Sequence, residues 1–135
     1  MRKIILASHG HLADGLKSSV ELIAGEQKNI YTINAYEDED FDLKSTIKNL
    51  FSNFSSNDEV IVITDVYGGS VNNEFLVCLN EFSFSLVTGM NLPLVLELLG
   101  KNNTPTDLAI TESLTSAKNA QVYFNQFEEL SDEEF

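Results

Sequence analysis

The chain has little cysteine, proline and basic charge: it contains one cysteine, two prolines, no tryptophan and eight Lys or Arg residues. A single cysteine, Cys78, cannot form an internal disulfide, which excludes a disulfide-stapled scaffold and suits a reducing compartment. Twenty-one acidic residues against eight basic ones give a formal net charge of −13 at pH 7. Such a surface repels phosphates, so nucleic acid and anionic membrane are excluded as main partners, whereas a basic protein partner fits.

Long hydrophobic runs are also missing. The apolar stretch after "MRK" is only "IILA", which is shorter than the core of a signal peptide. No stretch approaches the roughly 20 apolar residues that a membrane span needs. We therefore expect a cytoplasmic protein.

The 135 residues, 43% of them hydrophobic, suffice for one domain with a real core. We place this domain at residues 1–127 and predict a disordered acidic tail at 128–135. Within the domain, apolar strand patterns alternate with helix patterns whose apolar residues recur every three or four positions. The predicted strands are "KIILA", "NIYTINAY", "EVIVIT" and "FSFSLVT".

This alternation predicts an α/β fold: a single doubly wound domain with a mostly parallel central sheet. Asp40 or Asp42 is expected to cap the second helix, and Asn91 the fourth, with Pro93 in its first turn. The late segment "AQVYFNQF" at 120–127 is rich in Val, Tyr and Phe and is predicted to form an antiparallel edge strand.

Two predicted strands end in residues that could carry chemistry. His9 follows the first strand, and Asp65 follows the third, ahead of Gly68, Gly69 and Ser70. Taken singly, the histidine and the aspartate are typical surface or capping residues, and the glycines a simple tight turn. Taken together, they suggest more, because ligands gather beyond the carboxyl ends of strands in such sheets.

If the two strands are neighbours, Asp65 can accept a hydrogen bond from one imidazole nitrogen of His9 and leave the other as a nucleophile. Backbone N–H groups at a helix start, together with the Ser70 hydroxyl, form an anion site that suits a phosphoryl group. The chain carries no Walker or kinase signature, so we predict neither a cofactor nor a metal.

Three segments, "SHGHLADGLKSSVELIAGE", "TDVYGGSVNN" and "GMNLPLVLELL", resemble the IIA component of mannose-family sugar phosphotransferase systems. The resemblance implies a phosphorylated histidine at His9, an orienting aspartate at Asp65 and a serine beside the phosphoryl group at Ser70. It implies transfer from the phosphocarrier protein HPr to a IIB component, with only peripheral contact to membrane transporter components. It also implies a homodimer that can exchange a C-terminal strand, here 120–127. One departure is Val71, where the family commonly has proline.

Two alternatives stay open at this point. The phosphotransferase subunit that feeds dihydroxyacetone kinase resembles the same family, and a regulatory binding module could use histidine phosphorylation to report sugar supply. His11 is expected to be a loop-surface residue near the partner interface rather than the nucleophile. Cys78 is expected to be an inert core residue.

Overall fold

The computed structural model describes residues 2–126, in which four strands alternate with five helices. This confirms the predicted α/β class. The third strand coincides with the predicted "EVIVIT". The elements are β1 (Arg2–His9), α1 (Leu12–Ala24), β2 (Ile30–Ala35), α2 (Leu43–Phe51), β3 (Glu59–Thr64), α3 (Ser70–Cys78), β4 (Ser85–Thr88), α4 (Leu92–Leu99), α5 (Thr106–Asn119) and a short 3₁₀ helix (Phe124–Gln126).

The four strands form one parallel sheet in the order β2-β1-β3-β4. From β1 the chain moves outward to β2, and then returns to the other side of β1 to form β3 and β4. The strand order therefore reverses between β1 and β3, which is where doubly wound sheets bind their ligands. In the β1–β3 register Ala7 lies opposite Thr64, so His9 and Asp65 emerge at the same edge of the sheet.

The sheet is covered on both faces, and each face has its own core cluster. Ile4 and Leu6 of β1 face the cluster that includes α1, α4 and α5, whereas Ile5 and Ala7 face the cluster with α2 and α3. This alternation along a continuous apolar run follows from burial on both sides. Each fully buried Leu or Ile contributes roughly 1.5–3 kcal/mol of transfer free energy.

The predicted caps are present at the starts of α2 and α4. The Asp42 carboxylate accepts a hydrogen bond from the Ser45 N–H (3.3 Å), and the Asn91 side-chain oxygen accepts one from Leu94 N–H (2.9 Å). Such caps satisfy N–H groups that have no partner within the helix. The apolar periodicity predicts that Leu12, Leu16, Val20 and Ile23 share one buried face of α1, which is only partly right: Leu16 and Val20 are buried together with Ala13, whereas Leu12 and Ile23 are more than half exposed.

Residues 120–126, the described part of the predicted antiparallel edge strand, do not form a strand. In the described part of the segment, 121–123 has no regular structure, and Phe124–Gln126 forms the 3₁₀ helix. Val122, Tyr123 and Phe124 are all exposed. A strand needs a ladder partner, and within residues 2–126 the sheet consists of β1 to β4 alone, so the Val and Tyr content of the segment does not suffice. Its pairing with a second copy stays a prediction, and the predicted acidic tail at 128–135 lies outside the described residues.

No helix within residues 2–126 is long and apolar enough to cross a bilayer.

Candidate functional site

His9 and Asp65 are in direct contact at the carboxyl edge of the sheet. Asp65 Oδ2 accepts a hydrogen bond from the His9 backbone N–H (2.8 Å) and lies 2.8 Å from His9 Nδ1. The second Asp65 oxygen, Oδ1, accepts from the Val66 backbone N–H at 3.0 Å. The carboxylate is therefore fixed by three groups, and its orientation is set by the backbone of both strand ends.

The electrostatics of this contact define the state of the imidazole. Burial raises the pKa of Asp65, whose side chain is only 6% exposed, but the N–H groups of His9 and Val66 outweigh burial and hold this pKa below its usual value. Asp65 is thus ionised at neutral pH and can only accept hydrogen bonds. Nδ1 of His9 must therefore carry the hydrogen, and in the neutral ring the lone pair lies on Nε2.

That lone pair faces the start of α3. His9 Nε2 lies 3.2 Å from Ser70 Oγ, and Ser70 Oγ in turn accepts a hydrogen bond from the Tyr36 hydroxyl (3.0 Å). Because the Ser70 oxygen accepts from Tyr36, its own hydrogen is free to donate to Nε2. The His9 side chain is 46% exposed, so Nε2 can be reached from solvent by a second protein.

Two glycines allow this close arrangement. Gly10 has a φ of +60°, which lets the chain turn sharply from β1 into α1 while its N–H donates to Ala35 O at 2.9 Å. At Gly69, an added Cβ would lie 3.4 Å from His9 Cε1 and 3.3 Å from the Val66 carbonyl oxygen. Glycine at position 69 therefore leaves room for the imidazole ring.

The start of α3 is held in place by buried contacts. The Thr64 hydroxyl at the end of β3 donates to Asn72 Oδ1 at 2.8 Å, and both residues are buried. Val71, at the position where the family commonly has proline, is fully buried in the cluster beneath α3. These contacts fix Ser70 relative to β3 and hence relative to Asp65.

The other residues singled out in the sequence lie outside this group. His11 is 80% exposed in its side chain and pairs with Glu37 (2.9 Å), as a loop-surface residue does. Cys78 is buried in the core, and burial raises the pKa of its thiol. Among residues 2–126, no three His, Cys, Asp or Glu side chains are close enough together to hold a metal ion.

Sequence reasoning missed Tyr36. Its hydroxyl bonds Ser70, and its ring centroid lies 5.5 Å from that of His9 at an interplanar angle of 47°. The only available signal was its place directly after β2, at the same edge of the sheet as His9.

Comparison with known proteins gives a consistent family assignment. The profile described as "PTS system fructose IIA component" matches residues 3–117. A crystal structure from Klebsiella pneumoniae, assigned to phosphoenolpyruvate-dependent sugar phosphotransferase system permeases, shares 48% identity and a TM-score of 0.87, covering 93% of this chain and 92% of that one. The PTS IIA protein associated with the fucose utilization operon of Streptococcus pneumoniae shares 32% identity and a TM-score of 0.79, covering 93% and 94%.

A curated relative agrees with these structures. The sorbose-specific EIIA component of Lacticaseibacillus casei is 29% identical over 123 residues, which cover 86% of this chain and 85% of that protein. The profile match alone spans most of the chain, and the structural matches extend over nearly all of the fold. The chain therefore belongs to the fructose- and mannose-type IIA components, the phosphoryl-relay proteins of the sugar phosphotransferase system (PTS).

Proposed function

We propose that this chain is a cytoplasmic phosphohistidine carrier, in which His9 Nε2 accepts a phosphoryl group from phospho-HPr and passes it to a IIB component for sugar uptake. The observation that supports this best is the position of His9, between the Asp65 carboxylate at Nδ1 and the Ser70 hydroxyl at Nε2. One ring nitrogen holds a proton against a carboxylate, and the other presents a lone pair beside a hydroxyl donor.

Transfer between two histidines is balanced without any added reactant. The Nε2 lone pair of His9 attacks the phosphorus of the donor phosphohistidine, the Nε2–P bond forms, and the donor P–N bond breaks with its electron pair returning to the donor ring. The donor ring becomes neutral and the His9 ring becomes cationic, with its Nδ1 hydrogen retained. The second transfer, to the IIB component, reverses these changes at His9.

Asp65 and Ser70 have separate roles in this step. Asp65 holds the Nδ1–H tautomer and stabilises the positive charge that develops on the ring. Ser70 releases Nε2 when the phosphorus arrives, and its hydroxyl then donates to a phosphoryl oxygen. Phosphoryl transfer depends mostly on positioning and electrostatic stabilisation, which these fixed groups can supply.

The proposal extends to partners and assembly. The exposed His9 ring suits a donor that must bring its own histidine in line with the phosphorus, and the net charge of −13 suits a basic donor surface. Membrane transporter components would be contacted only peripherally, through the IIB component. A homodimer is proposed because β4 lies at the edge of the described sheet and the exposed residues Val122, Tyr123 and Phe124 could pair there.

Labelling from phosphoenolpyruvate tests the carrier role. The protein is incubated with phosphoenolpyruvate, enzyme I and HPr, and the acid-labile phosphopeptide is mapped by mass spectrometry. We expect the label on His9, its loss in His9→Ala, and most of it retained in the matched control His11→Ala. Label on His11, or label that survives in His9→Ala, would contradict the proposal.

A further inference from the structure

The backbone of Tyr36 adopts a conformation that is unfavourable for a tyrosine. It follows β2 directly and has a φ of +65°, the only positive φ among the non-glycine residues of 2–126. The left-handed region costs an ordinary L-residue roughly 1–2 kcal/mol, and a bulky side chain there usually reflects a constraint from its surroundings. The constraint here is visible in the contacts of the side chain.

Those contacts point the tyrosine at the proposed phosphoryl site. The Tyr36 ring packs edge-on against Phe41 (5.7 Å between centroids) and tilts against the His9 imidazole (5.5 Å). Its hydroxyl donates to Ser70 Oγ at 3.0 Å. Phe41, which itself packs against the core, thus holds the ring in place, and the polar tip reaches Ser70, the hydroxyl that contacts His9 Nε2.

The direction of these bonds determines where the Ser70 hydrogen points. A serine hydroxyl has one hydrogen to donate and can accept two bonds. With Tyr36 donating to Oγ, that hydrogen is directed toward Nε2 rather than toward the tyrosine. A chain of two hydroxyls also polarises the second one, which strengthens its donation.

We propose that Tyr36 is a positioning residue for phosphoryl transfer: through Ser70, it directs a hydroxyl donor to His9 Nε2 and to the phosphoryl group that arrives there. This rests on the proposed function of His9. In the free protein, the chain holds Ser70 against the imidazole lone pair. During transfer, the Ser70 hydrogen turns to a phosphoryl oxygen while Tyr36 continues to donate to Oγ.

The test removes the hydroxyl and keeps the ring. Tyr36→Phe retains the packing against His9 and Phe41, and Tyr67→Phe is the matched control, because Tyr67 is 85% exposed in the neighbouring loop. Two quantities are measured on the full chain. The first is the steady-state rate of transfer from phospho-HPr, resolved into kcat and KM. The second is the ¹⁵N resonance of His9 Nε2 in the unphosphorylated protein.

We expect Tyr36→Phe to lower kcat about tenfold, less than the ~10²-fold or larger loss seen when a direct donor to a transition state is removed. KM for phospho-HPr should stay unchanged. The Nε2 resonance should move toward that of a free imidazole nitrogen, whereas Tyr67→Phe should move neither quantity. In a Ser70→Ala background, Tyr36→Phe should have no further effect, because its path to Nε2 is already gone.

The outcomes separate this inference from the proposed function. If wild type takes no label on His9, the proposed function fails and the transfer role of Tyr36 fails with it. If wild type is labelled on His9 but Tyr36→Phe keeps the wild-type kcat and Nε2 resonance, only the inference is overturned. An equal effect of Tyr36→Phe with and without Ser70, or an equal shift in Tyr67→Phe, would also overturn it.

Discussion

Replacing Asp65 by asparagine changes the charge of the site while keeping its size. In the native site, Oδ2 accepts from both N–H groups of His9, and Oδ1 accepts from Val66 N–H. An amide has only one oxygen. If that oxygen faces His9, the amide NH₂ meets the Val66 N–H; if it faces Val66, the NH₂ meets Nδ1 and favours the tautomer that carries hydrogen on Nε2.

Both orientations slow transfer, and the charge contribution can be estimated. Two unit charges about 4 Å apart interact by about 4 kcal/mol at an effective dielectric constant of about 20. The imidazole is 46% exposed, so water screens part of this attraction. Taking roughly half leaves about 2 kcal/mol, and since about 1.4 kcal/mol is a factor of ten, the phosphorylated state loses more than tenfold.

The tautomer effect adds to the charge effect. The corresponding change costs about 10⁴ in the serine-protease triad, but the phosphoryl group here is already activated in its donor. We therefore expect Asp65→Asn to transfer about 10²-fold more slowly than wild type.

Rapid-quench transfer from ³²P-labelled phospho-HPr measures this rate, and urea denaturation checks that the variant is folded. Losing charge-assisted hydrogen bonds should cost about 1–3 kcal/mol of the free energy of unfolding, which leaves a folded fraction sufficient for the assay. A folded Asp65→Asn protein with wild-type transfer kinetics would show that Asp65 only shapes the turn after β3.

Gly69→Ala should slow transfer severalfold, because the added Cβ would lie 3.3 Å from the Val66 carbonyl oxygen and 3.4 Å from His9 Cε1, so the turn beside the imidazole must shift. Gly68→Ala should lower the free energy of unfolding by roughly 1 kcal/mol, because its φ is +75°, but should leave transfer per folded molecule unchanged, since no atom lies within 4 Å of the added Cβ; urea denaturation and rates per folded molecule compare the two variants. Deleting everything after Lys118 should give monomers or aggregates by light scattering, whereas deleting only the final "SDEEF" should leave a dimer; a full-length protein that is monomeric at micromolar concentration refutes this. The pKa of Asp65 is depressed in the folded state. The ionised carboxylate therefore stabilises the fold fully above the unfolded-state pKa of about 3.9, and this stabilisation is lost as pH falls through the folded-state pKa. The destabilisation by Asp65→Asn, measured by urea denaturation, should therefore be complete at pH 7 and shrink below about pH 4, and a difference that is constant down to pH 2 would contradict this.

The parts of the fold that follow from burial could be predicted from sequence. β3, buried on both faces, reads as a continuous apolar run, and its predicted and observed bounds agree at Glu59–Thr64. β4 is different: the alternation in "FSFSLVT" predicts seven residues, but the strand begins only at Ser85. Phe82 stacks on Phe51 (4.7 Å between ring centroids). Phe82 and Phe84 therefore pack against the core before the residues that pair with β3 begin.

The end of the chain shows a limit of a different kind. The strand propensity of 120–127 is real, but propensity is realised only where another strand offers its N–H and C=O groups. In the described part of the chain, residues 121–126 lie exposed after α5, and Phe124–Gln126 forms a 3₁₀ helix instead of a strand. A pattern of side chains cannot say whether the partner strand belongs to the same molecule.

The functional site likewise has one part that could be predicted from the sequence and one part that could not. His9 and Asp65 could be paired from sequence because strand order alone brings the ends of β1 and β3 together, whatever their loops do. Tyr36 could not be found this way. It follows β2, which is also a neighbour of β1, but its side chain reaches His9 only because Tyr36 itself adopts a φ of +65°. On the other side of β3, the loop after β4 bonds to its neighbouring elements: the Gly89 and Met90 N–H groups donate to the Thr64 carbonyl, and Asn91 caps α4. The described contacts of the ring therefore come from Asp65 at the end of β3, from Ser70 at the start of α3 and from Tyr36 after β2, and only the contact with Tyr36 depends on the loop after β2.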